Sequence, residues 1–287
     1  MKKNEDVVLD ELKICYKADQ KQLAFLKAIG EGEFTDVEGY RLYRLTNGRF
    51  RFFYEVTKDG EPIAELKFGL YSEKEEEESI YVFLKVLNHV LYNNPLLRTI
   101  LQLPDSLGFR FNNFTAIDLA LDSDRNLTSL VRLLMRDKTA TTILNGRAIE
   151  ARSQILKGVT FEYSTTLNKL MKPTITFRQK KAIAKKNEGI TVQVYDKKTE
   201  IEQGSGKQYI LDYYGGPKQL YRMEVRLPYQ EIKDYFASRE IAPSIDLLFD
   251  SASLTEMFLY HLSAVIRFSR GRRKIPWEGL LGCTDRG

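Results

Sequence analysis

Two dipeptides, Asn47–Gly48 and Asp59–Gly60, most constrain what this chain can fold into. Each sets residues that tolerate positive φ between runs rich in β-branched and aromatic side chains, which is the composition of a tight antiparallel turn. The flanking runs, YRLYRLTNG, RFRFFYEVTKDG and PIAELKFGLYS, therefore read as three consecutive antiparallel strands. IYVFLKVLNHVLY has no clear period; its Ile, Tyr, Val and Phe content favours strand over helix. Upstream, Val7 to Ile29 has helical spacing that breaks at Gly30, and a short helix is expected around Leu96–Leu103.

The later part of the chain follows the same logic. NLTSLVRLLMRD gives an amphipathic helix, and GVTFEYS, PTITFRQ, GITVQVYDK and QLYRMEVRL read as strands. Helices are expected at about 229–238 and 253–268, before a basic tail, RFSRGRRK. The expected class is α+β, mostly antiparallel β-sheets with flanking helices. Residues 1–108 would form an N-terminal α/β region, either DNA-binding or half of a pseudo-duplicated fold. Residues 109–287 would form a catalytic-like α+β region ending in helices and the basic tail.

Composition narrows the setting. A chain of 287 residues with 43% hydrophobic content can build one large domain or two medium ones. The net charge of +5 is compatible with a nucleic-acid partner without demanding one. Two distant cysteines, Cys15 and Cys283, indicate neither a disulfide framework nor a zinc site. The start, MKKNEDVVLDELK, is charged and lacks the apolar stretch of a secretory leader, and no run reaches the length of a membrane span. A cytoplasmic protein with no membrane partner is expected.

The stretch FTAIDLALDSD carries the chemistry. In a strand, Ile117, Leu119 and Leu121 point to one face and Asp118, Ala120 and Asp122 to the other. In QLYRMEVRL the same alternation sets Arg222, Glu224 and Arg226 opposite Tyr221, Met223, Val225 and Leu227. In GITVQVYDK it sets Thr191, Gln193, Tyr195 and, if the strand continues, Lys197 opposite Ile190, Val192 and Val194. An antiparallel sheet with one dry and one wet face explains these alternations. It explains less well why carboxylates, arginines and a tyrosine stand in strand centres. If the strands are neighbours, Asp118, Asp122 and Glu224 converge on one hard cation, magnesium or manganese. Arg222, Arg226 and Lys197 would then hold phosphate oxygens.

FTAIDLALD, then TITFRQKK, ITVQVYDKKTE and LYRMEVRL, taken in order, resemble the rolling-circle replication initiators of small bacterial plasmids, the Rep_trans-type family. The resemblance spans Asn112 to Leu227. It implies a replication-initiator or nickase-like sheet that binds a double-stranded plasmid origin and nicks and rejoins one strand through a tyrosine phosphodiester link. Asp118 and Glu224 would be the acidic metal residues, with Asp122 assisting, and Lys197 the basic residue near the scissile phosphate. A host helicase and a second copy of the chain are the partners so implied. The family's tyrosine position reads Thr176 here, so Tyr195 is the expected nucleophile, ahead of Tyr163. Arg178, Lys180, Lys181, Lys185 and Lys186 in the basic segment suit phosphate contacts as well as they suit a solvated loop. His89 and His261, far apart, read as structural. The alternative is a non-catalytic origin-binding or copy-control protein on the same scaffold.

Overall fold

The computed structural model describes residues 6–72, 79–149, 159–162, 174–179 and 189–282. The chain is α+β with antiparallel strand pairing, and it divides into two compact units, one of Asp10–Ile117 and one of Met1–Leu9 with Asp118–Gly287.

The N-terminal unit starts on a strand, not the expected helix. β1 (Val7–Asp19) buries Leu12, Ile14 and Tyr16 while Lys13 and Lys17 stay half-exposed, a period of two. Helix formation waits for Asp19. Its carboxylate accepts the Gln22 backbone N–H at 2.8 Å, and the Gln22 side chain accepts the Asp19 N–H at 2.7 Å. This reciprocal cap starts α1 (Gln20–Lys27). An unexpected strand, β2 (Phe34–Val37), precedes the three expected ones, β3 (Tyr40–Leu45), β4 (Phe50–Lys58) and β5 (Glu61–Leu70). Asp59 and Gly60 make the tight β4–β5 turn at φ 52° and 84°. Asn47–Gly48 instead lies in a wider connection between the paired Leu45 and Phe53, where the Asn47 side chain accepts the Arg49 and Phe50 N–H groups at 2.9 and 3.0 Å. β6 (Ser79–Val86) then gives way to α2 (Asn88–Leu91) and α3 (Asn94–Ser106), so the ambiguous run is strand to Val86 and helix after it. The strands lie in the order β1-β6-β5-β4-β3-β2. One face carries the core residues Leu12, Ile14, Tyr54, Leu66, Phe68 and Leu84. The Tyr54 hydroxyl donates to the Leu26 carbonyl at 2.7 Å, which fixes α1 against that face.

The C-terminal unit takes over within β7 (Arg110–Ser123). After it come α4 (Leu127–Arg136), β8 (Thr141–Leu144), β9 (Arg147–Ile149), β10 (Val159–Glu162), β11 (Thr174–Arg178) and β12 (Thr191–Asp196). The strand expected to continue through Lys197 stops one residue earlier. Asp196 accepts the Thr199 N–H at 2.9 Å and caps α5 (Lys197–Glu200), which is followed by α6 (Gln208–Tyr213). β13 (Tyr221–Pro228) leads into α7 (Tyr229–Ser238) and α8 (Ser251–Val265). The helix expected to reach 268 ends at Val265. The basic tail is the hairpin of β14 (Ile266–Arg270) and β15 (Arg273–Ile275), followed by α9 (Trp277–Leu281). Five strands run in the order β10-β11-β12-β13-β7, and a four-stranded sheet runs β15-β14-β8-β9.

Both units open with a long strand and a helix and return through a later antiparallel strand that pairs with the long one and leads into helices. In the C-terminal unit, though, β8 and β9 join the four-stranded sheet, and α5 and α6 intervene before β13. β1 and β6 play these parts in one unit, β7 and β13 in the other. Among the described residues no helix is long and apolar enough to cross a membrane.

Candidate functional site

The site is a ladder of polar side chains across β11, β12, β13 and β7, all within the C-terminal unit. Thr176 stands opposite Gln193, and Gln193 opposite Glu224. One step along, Arg178 faces Thr191, which faces Arg226. One step the other way, Tyr195 faces Arg222. β7 closes the ladder through ion pairs, Arg222 with Asp122 and Arg226 with Asp118. Their order is reversed along the two strands, as antiparallel neighbours require. This answers why one strand carries two carboxylates spaced by an alanine: each meets an arginine of β13 at the same spacing.

These pairs have unequal surroundings. Arg222 and Asp122 are both 0% exposed and joined at two points, Nε to Oδ1 at 2.7 Å and a terminal nitrogen to Oδ2 at 2.5 Å. A buried guanidinium tolerates that position because a planar carboxylate matches its two N–H groups. Arg226 is half-exposed. Its Nε donates to Glu224 Oε1 at 2.6 Å and lies 3.6 Å from Asp118 Oδ2. Partial burial works against its charge, but Glu224 first, then Asp118 and Tyr195, outweigh that and raise its pKa. The Tyr195 hydroxyl donates to the other oxygen of Glu224, Oε2, at 2.8 Å. Glu224 itself is 2% exposed, so this carboxylate is held between a phenol and a guanidinium.

The wet face expected from alternation is in fact largely covered: Thr176, Asp122, Arg222 and Glu224 are all buried. Tyr195 is half-buried, while Arg178 is exposed on the same ladder row as Arg226. Arg222, expected at a phosphate, is enclosed against Asp122. Lys197, expected on the strand face, is instead the first residue of α5. It is buried, pairs with Glu200 at 2.8 Å and has its ammonium 5.6 Å from the Tyr195 ring centre. Thr176, in the position where the resemblance expects a tyrosine, is 0% exposed and accepts from the Gln193 amide at 3.4 Å. Tyr163, Lys180, Lys181, Lys185 and Lys186 lie outside the described residues.

The expected magnesium or manganese ion can be tested against these donors. Both oxygens of Asp122 are engaged by Arg222, so Asp122 does not fit as a ligand. Asp118 and Glu224 do approach one point, but the Arg226 guanidinium lies there. Among the described residues no group of three or more His, Cys, Asp or Glu side chains is placed to hold a metal ion. The three-carboxylate set does not fit; two carboxylates fit only with Arg226 swung aside.

Two residues that organise the site went unread in the sequence. Asp196 caps α5 and so sets where Lys197 goes; the signal was present, an aspartate three residues before Thr199. Asn126 donates to the Tyr221 hydroxyl at 3.1 Å and caps α4 through the Ser129 N–H, tying that helix to β13. Only its capping position was legible. Comparison with known protein families and with curated proteins finds no match for this chain.

Proposed function

We propose that this chain is a replication initiator of a small plasmid or mobile element that nicks and rejoins one strand of its origin DNA, with Tyr195 as nucleophile. The observation that carries the reading is the Tyr195 hydroxyl donating to Glu224 Oε2 at 2.8 Å while Arg226 holds Oε1. In the proposed step the Tyr195 oxygen attacks a backbone phosphorus, and the phenol proton passes to Glu224. The bond from phosphorus to the 3′ oxygen breaks, leaving a 5′-phosphotyrosyl link and a 3′ oxygen that takes a proton from water. Rejoining runs the same step backwards. Arg226 and the exposed Arg178 on its row are the cations for the phosphoryl oxygens. Lys197, beneath the Tyr195 ring, positions the phenol rather than contacting DNA.

A magnesium or manganese ion belongs to this proposal only on Asp118 and Glu224, and only once Arg226 leaves those carboxylates for the phosphate; it would then supply Lewis-acid stabilisation of phosphoryl charge. Origin DNA is the partner the reading requires; a host helicase and a second copy follow from the resemblance. The test is incubation with supercoiled plasmid carrying the origin, with and without manganese, and a denaturing gel for a protein–DNA adduct. Tyr195→Phe should lose the adduct while keeping DNA binding, and an adduct mapped to any other residue refutes the assignment.

One observation favours the alternative, an origin-binding or copy-control protein that does not cut. Thr176 is fully buried in the place where the resemblance expects the tyrosine. Binding without any adduct, at every metal condition, would select that reading.

A further inference from the structure

The N-terminal unit has a polar face of a different kind. Opposite the face packed on α1, registered positions run Leu45, Phe53, Lys67, Phe83 and Cys15 straight across β3, β4, β5, β6 and β1. Neighbouring strands lie about 4.8 Å apart, so two half-exposed rings flank one lysine. The Lys67 ammonium lies 5.6 Å from the Phe50 ring centre and 6.0 Å from that of Phe53. Along β6, Tyr81 is 41% exposed opposite Lys17, whose ammonium is 5.8 Å from its ring. At the far edge Phe34 is 51% exposed with the Arg41 guanidinium 4.1 Å from its ring centre.

Rings left in water forgo about 1.5–3 kcal/mol of burial each, and here they recur with a cation beside them. Sequence-tolerant binding of single strands uses this combination, bases on aromatic faces and phosphates on adjacent cations. Most acidic side chains on the face are taken up locally: Glu65 pairs with Lys85 at 3.1 Å and Lys67 at 3.5 Å, and Asp36 with Arg41 at 2.9 Å, while Glu55, in register with Glu65, stands outside these pairs. A phosphate arriving at Lys67 or Lys85 exchanges one anion for another and leaves the lysine paired. The contrast with the C-terminal unit is the second observation. That unit fills its polar ladder with carboxylate–arginine pairs, Arg222–Asp122 fully enclosed and Arg226 half-exposed against Glu224, whereas this one presents lysines and open rings.

We propose that this face of the N-terminal unit, centred on Phe53, Lys67 and Phe83, binds single-stranded DNA. The choice of DNA over RNA rests on the nicking reading; the capacity for a single strand does not. The test is fluorescence anisotropy of the full chain with a labelled oligothymidine, the matching RNA and a duplex. Circular dichroism melts would establish that the variants stay folded. Phe34→Ala and Tyr81→Ala, both at exposed rings, should each weaken single-strand binding by about five-fold or more. Lys67→Gln should lower the salt slope by about 0.7. Tyr195→Phe should bind the oligonucleotide like the parent, so loss of nicking and loss of this face are read separately. Unchanged affinity in the ring variants overturns the proposal. So does tighter binding to RNA than to DNA, or a dimer in sedimentation that the same variants convert to monomer without changing affinity.

Discussion

Asp122→Ala should cost this protein a large share of its stability. Arg222 and Asp122 are both fully enclosed and joined by two charge-assisted hydrogen bonds, so removing the carboxylate leaves a buried guanidinium without it. Breaking a buried pair from one side costs about 3–5 kcal/mol, against a total of about 5–15 kcal/mol for a typical domain. With a urea m-value near about 3 kcal/mol per molar, the unfolding midpoint should fall by about 1 M or more. Trp277 is the sole tryptophan of the chain and is buried in the C-terminal unit, so its fluorescence reports the unit that holds the pair. The companion variant, Asp122→Leu with Arg222→Met, removes both charges and should recover most of the loss or exceed the parent. A single variant whose midpoint stays within about 0.2 M of the parent at the same m-value would refute the reasoning. So would a double variant no better than the single, since the cost would then not arise from the unpaired charge.

Glu224→Gln should keep a near-isosteric acceptor and donor between Tyr195 and Arg226 yet lower adduct formation by about 10²-fold or more, the usual scale for losing a positioned base; single-turnover nicking measures it. Neutralising Arg178 and Arg226 together should weaken duplex binding at all sequences and lower its salt slope by about 2, read from binding titrations at several salt concentrations. His261, packed against Tyr235 and Tyr260, has its pKa pushed down to about 4, by burial first and by Arg239 second. The unfolded imidazole titrates near about 6.5, so its neutral-state stability is full above that pH and is lost as pH falls from about 6.5 to about 4. The loss amounts to about 3 kcal/mol; urea midpoints across that window should show the fall, and His261→Leu should flatten it.

Local chemistry made much of this protein legible in its sequence. The β4–β5 hairpin follows from Asp59–Gly60, because a tight turn and its flanking alternation lie within a few residues of each other; Asn47–Gly48 marks the β3–β4 connection but not its width, which spans from Leu45 to Phe53. The extent of α7 was readable for the same reason. Val7–Asp19 shows where local reading fails: its apolar residues satisfy both a helical and a strand period, and the capping box at Asp19 and Gln22 places the helix start after it. Strand parity carried one residue further would put Lys197 on the polar face, but the cap at Asp196, visible in the sequence as an aspartate three residues before Thr199, ends β12 first.

The sequence by itself determined which residues share a face, since alternation needs only the backbone's two-residue period. It placed Asp118, Asp122, Arg222, Glu224, Arg226 and Tyr195 on polar faces of their strands. Only the tertiary structure decided their pairing and burial. Asp122 meets Arg222 from 100 positions away, and strand order brings Arg226 near Asp118 and Tyr195 onto Glu224. Period two names a face but not what covers it, so the same alternation yields an enclosed ion pair at Asp122 and a half-open phenol at Tyr195.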